Sequence, residues 1–407
     1  MEGFFYFYPM SSKSGIILFD PKDHKKLWPL NLTKPIAHLR LSYFTIQQQW
    51  QHISQILSNT LPVAYLKPQF STTYFNYNFY VNASIIPNKK LWAAIAQMPI
   101  ESILKQNEKI IAIRSKKHIN KIEELHNFEG DENQLTFEVK ELNNPASIFK
   151  LAGEAILLDE LVVDKNCFSN PKPLNGNLFF NAKNIWVHPT ATLKAVTINA
   201  EEGPVIIGEN ALIMEGALLR GPICIGDHSV VKMGAKIYGP TTIGPYCKIG
   251  GEINNTVFQA YSNKGHDGYL GNAVIGAWCN LGADTNCSNL KNNYSKVKVW
   301  SYQQEDFVDS GTQFHGLIMG DHSKCSINTM FNTGTVVGAF ANIFGSGFHN
   351  KFIPSFSWGK KETYNFDKAI ETAKRVMQRK NLNLGKEAEA ILKSIFEQTQ
   401  SYRNQFL

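Results

Sequence analysis

In the run NKGHDGYLGNAVIGAWCNLGADTNCSNLKNNYSK (263–296), His266 is the side chain suited to proton transfer near neutrality, and it lies among Asn, Tyr and Lys. An unperturbed imidazole has a pKa of about 6.5, which fits it to take a proton from an amine nucleophile. Downstream, Gly282-Ala283 makes a small-residue turn whose backbone N–H groups can face a developing oxyanion. A base and oxyanion donors are what group transfer through a tetrahedral intermediate requires. Plainer roles compete. A loop histidine is commonly just solvated, Asn280, Asn289 and Asn292 suit turns or an Asn ladder, Ser310 and Thr312 suit corners, and Glu252 suits a surface pair with a lysine.

These residues must be positioned by a repeat. Ile207, Ile213, Leu219, Ile225, Val231, Ile237, Ile243 and Ile249 fall at every sixth position, and two places before each stands a mostly small residue: Val205, Ala211, Ala217, Ile223, Ser229, Ala235, Thr241 and Cys247. With apolar usage of about half, eight apolar residues in one register arise by chance roughly once in 250 trials. A period of six fits neither a helix, with about 3.6, nor an isolated strand, with about 2. It predicts a β-solenoid whose short strands turn a corner every six residues, the aliphatic residue inward and Gly208, Gly226, Gly244 and Gly250 at tight turns. The register starts weakly near Val187 and Leu193, breaks over Asn254–Asn272, resumes at Ile275 and Leu281, breaks over Asn286–Gln304, and returns at Met319, Cys325, Phe331, Val337 and Ile343. Such breaks predict loops thrown out of one face, where function commonly sits.

A chain of 407 residues, 43% hydrophobic and 18% charged, has ample core for two or three domains. Its net charge of +7 is spread out, apart from modest clusters at Lys22–Lys26 and Lys360–Lys361, which favours anionic small molecules over nucleic acid. No stretch nears the roughly 18 uninterrupted apolar residues of a membrane span, and the opening MEGFFYFYPM lacks the basic and long apolar regions of a secretory signal. Six cysteines without a C-x-x-C pair suit reduced thiols and a cytoplasmic location. Residues 1–177 mix short β runs (Ile16–Phe19, Ile110–Ile113) with helical segments (Thr45–Leu57, Lys90–Ala96), an α/β domain ending in the turn-rich linker Asn166–Asn177. The solenoid takes 178–360. Residues 361–407 form a helical cap, with Ala369, Ala373, Val376 and Met377 on one face.

Several ordered blocks carry a family resemblance: Gly265-His266, Tyr269, Leu270-Gly271, Asn280-Leu281-Gly282-Ala283 and Phe307-Val308-Asp309-Ser310-Gly311-Thr312-Gln313. On these the chain resembles a divergent branch of the bifunctional bacterial enzymes that acetylate glucosamine-1-phosphate and uridylylate the product to UDP-N-acetylglucosamine, tightly over 200–345 and loosely elsewhere. The resemblance implies an α/β nucleotidyltransferase-like domain followed by a left-handed parallel β-helix of hexapeptide repeats with a C-terminal helical cap. It implies His266 as general base, and Glu252, Tyr269, Asn280, Asn289 and Lys296 (or Lys298) as ligands of an amino-sugar phosphate. Ala283 and Ser310 would meet acetyl-CoA, in a homotrimer that acts on small molecules. Asn254 stands where the family has a lysine and Leu290 where it has a tyrosine, so the phosphate contacts must be rebuilt.

In the first domain, Trp28-Pro29-Leu30-Asn31-Leu32-Thr33-Lys34-Pro35 resembles the Pro-Leu-Thr…Arg-Pro stretch of sugar-nucleotide nucleotidyltransferases. Their preceding Gly-rich loop, which cradles a triphosphate on backbone N–H groups, has no counterpart in Phe19-Asp20-Pro21-Lys22-Asp23-His24. Asn82 takes the place of the Mg²⁺-binding aspartate and is a poorer ligand. Lys34, Arg40 and Asn82 are the nucleotide-binding candidates, with UTP and Mg²⁺ implied if uridylyl transfer occurs. Two other functions stay open. One is a zinc hydratase of the γ-carbonic anhydrase type drawing on His228, His266, His315, His322 and His349, whose spacing matches poorly and leaves Gly-His-x-x-Tyr unexplained. The other is a non-catalytic solenoid whose first domain senses a sugar nucleotide.

Overall fold

The computed structural model describes residues 14–172 and 176–407; the opening MEGFFYFYPM and Pro173–Asn175 of the expected linker lie outside them. The chain divides into two compact units. One comprises residues up to His24, Lys34–Leu39 and Phe44–Asn143, the other Lys25–Thr33, Arg40–Tyr43 and Asn144–Leu407.

In the first unit, strand Ser14–Phe19, buried from Gly15 onward, lies parallel between Ser58–Leu61 and Tyr77–Asn82. Lys109–Ser115 runs antiparallel to Tyr77–Asn82 and to Ser102–Gln106, which in turn lies parallel to Asp131–Gln134. The result is a mixed six-stranded sheet. Helix Ile46–Ser54 starts at a capping box between Thr45 and Gln48, and helix Lys89–Ala96 at Asn88, whose side chain accepts from the Leu91 N–H. Strands and helices match the segments expected from their patterns.

The long continuous part of the second unit starts with helix Ala146–Val162, whose Ile156 packs with Val163, Phe168, Ile206 and Cys224. The turn-rich stretch 166–177 therefore falls inside this unit. Beyond it stands the parallel β-helix. Val205 pairs with Ile223 and Ile223 with Thr241, eighteen residues apart, so a coil is three hexads. The predicted inward residues from Ile207 to Ile249 lie in one continuous buried core, where each full burial stabilises by about 1.5–3 kcal/mol. At one corner His228, Tyr246, Tyr261, Trp278, His322, Phe340 and Phe356 all take positive φ. Their rings stack in a column with centroids 4.1–6.1 Å apart. Helices Phe366–Gln378, Lys386–Gln398 and Gln400–Phe406 cap its end, with Phe366 and Phe396 against Phe356.

The two register breaks differ in kind. Over 254–272 no loop is thrown out: Ile243 pairs with Phe258 and Ile249 with Lys264, fifteen residues on. The coil is shortened by half a hexad. Where the coil before turns with Gly239-Pro240, this one turns on Asn255 alone, at φ 45°, and the next on Asn272, at φ 49°; Asn tolerates this left-handed conformation. Strand Glu252–Phe258 thus stays in register with both neighbours. The second break is a true extrusion. Cys287 still pairs with Leu270, then the chain leaves, forms the hairpin Lys298–Ser301/Asp306–Asp309, and returns at Ile318 opposite Val274.

At the end of strand Ser14–Phe19, Asp20 is 1% exposed, and its carboxylate accepts the N–H groups of Ile36 (2.8 Å) and Val63 (3.3 Å). Burial pushes its pKa up to about 7, against the downward pull of those two hydrogen bonds. Between about pH 4 and 7 the folded chain keeps a proton that the unfolded chain has lost, so this contribution to stability is fully present below about pH 4 and lost as pH rises through about 7. Denaturant unfolding at pH 5 and 7.5 should show the wild type losing on the order of 2 kcal/mol more than Asp20→Asn. Equal losses in the two proteins would refute the assignment.

Candidate functional site

The parallel register sets Lys236, Glu252 and Tyr269 side by side on successive coils. Because Ile237, Ile253 and Leu270 turn inward, these neighbours, with Tyr238 and Asn254, share the outer side of one face. Tyr238 Oη donates to Glu252 Oε1 (2.8 Å). Asn289 Nδ2 donates to Tyr269 Oη (3.0 Å) and to Asn272 Oδ1 (2.7 Å), while the Tyr269 N–H donates to Asn286 Oδ1 (2.8 Å). Gly271 leaves the room for this: a Cβ there would stand 2.3 Å from Tyr269 Oη and 2.7 Å from Asn289 Nδ2. Burial raises the Tyr269 pKa, with hydrogen bonds from Asn254 and Asn289 opposing and the Glu252 charge adding. Tyr238 is pushed up to about 12 by burial and by Glu252. Both phenols therefore stay protonated beside a carboxylate, an arrangement that can bind hydroxyl and amino groups.

Gly250-Gly251 and the run from Gly265 to Gly268 turn the corner just before Glu252 and Tyr269. At that corner His266 is exposed to an open cavity of about 410 Å³, lined also by Lys232, Met233, Asp267, Ala283 and Asp284. One cavity thus joins His266 and Ala283, and the Glu252 N–H donates to Gly268 O (3.2 Å), tying the turn to the polar row. Beneath the turn lies a residue that motif spacing does not point to. Lys264, 1% exposed, occupies the inward position paired with Ile249, and its Nζ donates to the carbonyls of His266 (2.9 Å) and Asp267 (3.0 Å). Burial pulls its pKa down to about 8, opposed by Asp267, Cys325 and Asp284. A signal for it exists: Ser229/Val231, Cys247/Ile249 and Ser262/Lys264 repeat the small-then-inward pairing. Tyr238, Asn272 and Asn286 also join the site without a motif to announce them.

The other expected residues lie elsewhere. Asn280 is exposed on a neighbouring face, between Asn263 and Lys324 of adjacent coils, and is not part of the Tyr269 row. Lys296 is exposed in the extruded segment, where its carbonyl accepts from Lys291 Nζ (2.7 Å). Ser310 is buried, and its hydroxyl is shared with Thr312 Oγ1 (3.1 Å) of its own turn. Asn82 Oδ1 accepts from Ser84 N (3.0 Å) and Oγ (2.7 Å) while its Nδ2 donates to Ile110 O (3.3 Å), so the amide shapes a turn rather than standing open to a metal. Lys34 and Asn82 belong to the first unit and Arg40 to the second. There the Arg40 backbone N–H and C=O both pair with the Gln259 side chain (2.9 Å each), and Tyr43 Oη donates to Asp227 Oδ1 (2.6 Å). Desolvation lowers the Arg40 pKa, opposed by Asp227, Tyr43 and Asp159. Among the described residues no group of three or more His, Cys, Asp or Glu is placed to hold a metal. His228 and His322 stand in the ring column, and His315 is buried edge-on to Phe149, its pKa pulled down to about 4 by desolvation.

Known proteins bear on both halves of this picture. Residues 16–167 match the sugar nucleotidyl transferase family. The matched stretch takes in helix Ala146–Val162, which belongs to the second unit. A bifunctional sugar-1-phosphate nucleotidylyltransferase/acetyltransferase of Sulfurisphaera tokodaii is 34% identical over 152 residues, 37% of this chain and 37% of that protein. The bifunctional protein GlmU of Methanococcus aeolicus is 31% identical over 113 residues, 27% of each. The alignments span about a third of the length of these curated relatives. The crystal structure of the polySia specific acetyltransferase NeuO aligns with 44% of the chain and 76% of its own at 14% identity and a TM-score of 0.23.

The close fit of Tyr269 and Asn289 over Gly271 can be tested directly. Gly271→Ala should cost about 1–3 kcal/mol by overpacking. Combined with Tyr269→Phe, which removes the oxygen nearest the new methyl group, the loss should be smaller than the sum of the two single losses in denaturant unfolding. Strict additivity would show that the two positions do not meet.

Proposed function

We propose that the second unit transfers the acetyl group of acetyl-CoA to the amine of an amino-sugar phosphate of the glucosamine-1-phosphate class, and that the sugar nucleotidyl transferase domain passes a uridylyl group from UTP to the product. The observation that supports this most is the shared corner: His266 and Ala283 line one cavity, and the strands carrying Glu252 and Tyr269 leave from it. In this reading Glu252, Tyr269 and Asn289 hold the amine and hydroxyls of the sugar. His266 accepts a proton from the amine as the nitrogen bonds to the thioester carbon. The Ala283 N–H faces the resulting oxyanion. Collapse of the intermediate breaks the C–S bond, and the departing CoA thiolate takes up the proton.

The reading includes a cytoplasmic location and a homotrimer; for the trimer, Met233, 65% exposed on the cavity wall, and Ile327, 66% exposed, leave large apolar side chains open for a neighbouring copy or for CoA. It also keeps 1–177, 178–360 and 361–407 as the functional divisions of the chain. No helix among the described residues is long and apolar enough to cross a membrane. Mg²⁺ would accompany UTP and neutralise phosphate charge. The Asn82 amide is engaged by Ser84 and by the Ile110 carbonyl instead.

His266→Ala should lower acetylation of glucosamine-1-phosphate by on the order of 10²-fold or more with an unchanged melting profile. Free CoA thiol released per unit time is the readout. An undiminished rate would remove His266 from the mechanism.

A further inference from the structure

Lys264 is an anomaly of the prism interior. Along its face the inward positions of the other coils include Leu193, Ile213, Val231, Ile249, Leu281, Cys325 and Ile343, and Lys264 alone beside them is charged. Any aliphatic side chain would fill this place without the desolvation that an ammonium suffers there. What the ammonium adds is two charge-assisted hydrogen bonds to successive carbonyls, those of His266 and Asp267. The turn also packs on Gly251, at φ +76°, where a Cβ would stand 3.0 Å from Lys264 Nζ, 3.0 Å from His266 O and 2.6 Å from Gly268 O. The turn that carries His266 is thus held from within by a lysine, beside a glycine that leaves room for those contacts.

We infer that Lys264 is a positioning residue: from inside the prism it fixes the backbone of the His266–Asp267 turn and so aims the His266 imidazole into the cavity. This rests on the reading of His266 as the base of acetyl transfer. A misplacement of about 1 Å is enough to cost on the order of 10²-fold in rate. A lysine kept only for stability would affect melting and leave turnover alone.

The test uses the full chain with Lys264→Met and Lys264→Gln, read by melting, by amide hydrogen exchange over 265–269, and by kcat and KM with glucosamine-1-phosphate and acetyl-CoA. Methionine is unbranched, apolar and adaptable, so it should keep the fold. Exchange in the turn should rise about tenfold or more. The kcat should fall about 10- to 100-fold, with KM changed less than about threefold. Glutamine, which keeps an N–H donor, should recover part of both effects. Placed on His266→Ala, Lys264→Met should cost no further kcat while still speeding exchange. Unchanged kcat in a folded Lys264→Met protein overturns the inference, as does an undiminished additive loss on His266→Ala; if Lys264→Met fails to fold, Lys264→Gln with wild-type kcat and exchange overturns it equally. If His266→Ala alone leaves kcat intact, the functional reading has failed, and the exchange rates still decide whether Lys264 holds the turn.

Discussion

An aliphatic side chain enters the prism at every sixth residue along the regular coils, because the interior is close-packed and has to be filled. The outer surface follows from that demand. Once Ile237, Ile253 and Leu270 point inward, Lys236, Glu252 and Tyr269 have to form one outward row, and a slip of a single residue would turn the whole row into the core. The backbone adds the second dimension, since each coil donates to and accepts from the next and thereby sets how far apart row members stand. The polar site is a by-product of aliphatic packing in a fixed register.

That logic explains what can be read from the chain alone and what cannot. The run from Ile207 to Ile249 announces its fold because eight residues obey one period, and the adjacency of Glu252, Tyr269 and Asn289 agrees with the grouping that the family resemblance implies. Asn280 comes from the same resemblance yet stands on another face, since spacing along a chain does not say which side of a corner a residue occupies. Lys264 hides behind the fifteen-residue coil, which makes a regular inward position look like the start of a loop. In the first half, alternation and capping residues reveal strands and helices. The placement of Lys25–Thr33 and Arg40–Tyr43 with the second unit depends on pairs such as Tyr43 with Asp227 and Thr33 with Asp321, far apart in sequence and invisible to any local pattern.

Two buried ionisable groups follow one rule. Asp20 accepts two backbone N–H groups, and Lys264 donates to two backbone carbonyls. Each meets polar groups that a turn leaves outside its ladder, and each is driven toward its neutral form by the loss of water. Both stand where the backbone changes direction and has to be held.

The corner that Asn272 turns alone in one coil is stretched in the next from Ser288 to Leu317, yet Cys287 and Ile318 still find Leu270 and Val274 beneath them. Closing a loop costs entropy that grows only with the logarithm of its length, about 0.6 kcal/mol for each doubling. A lineage carrying this prism can therefore acquire, lengthen or exchange whole stretches at that edge without renegotiating the coils above and below. New contacts can be tried beside an existing row of polar groups while the chassis that supports them is inherited unchanged.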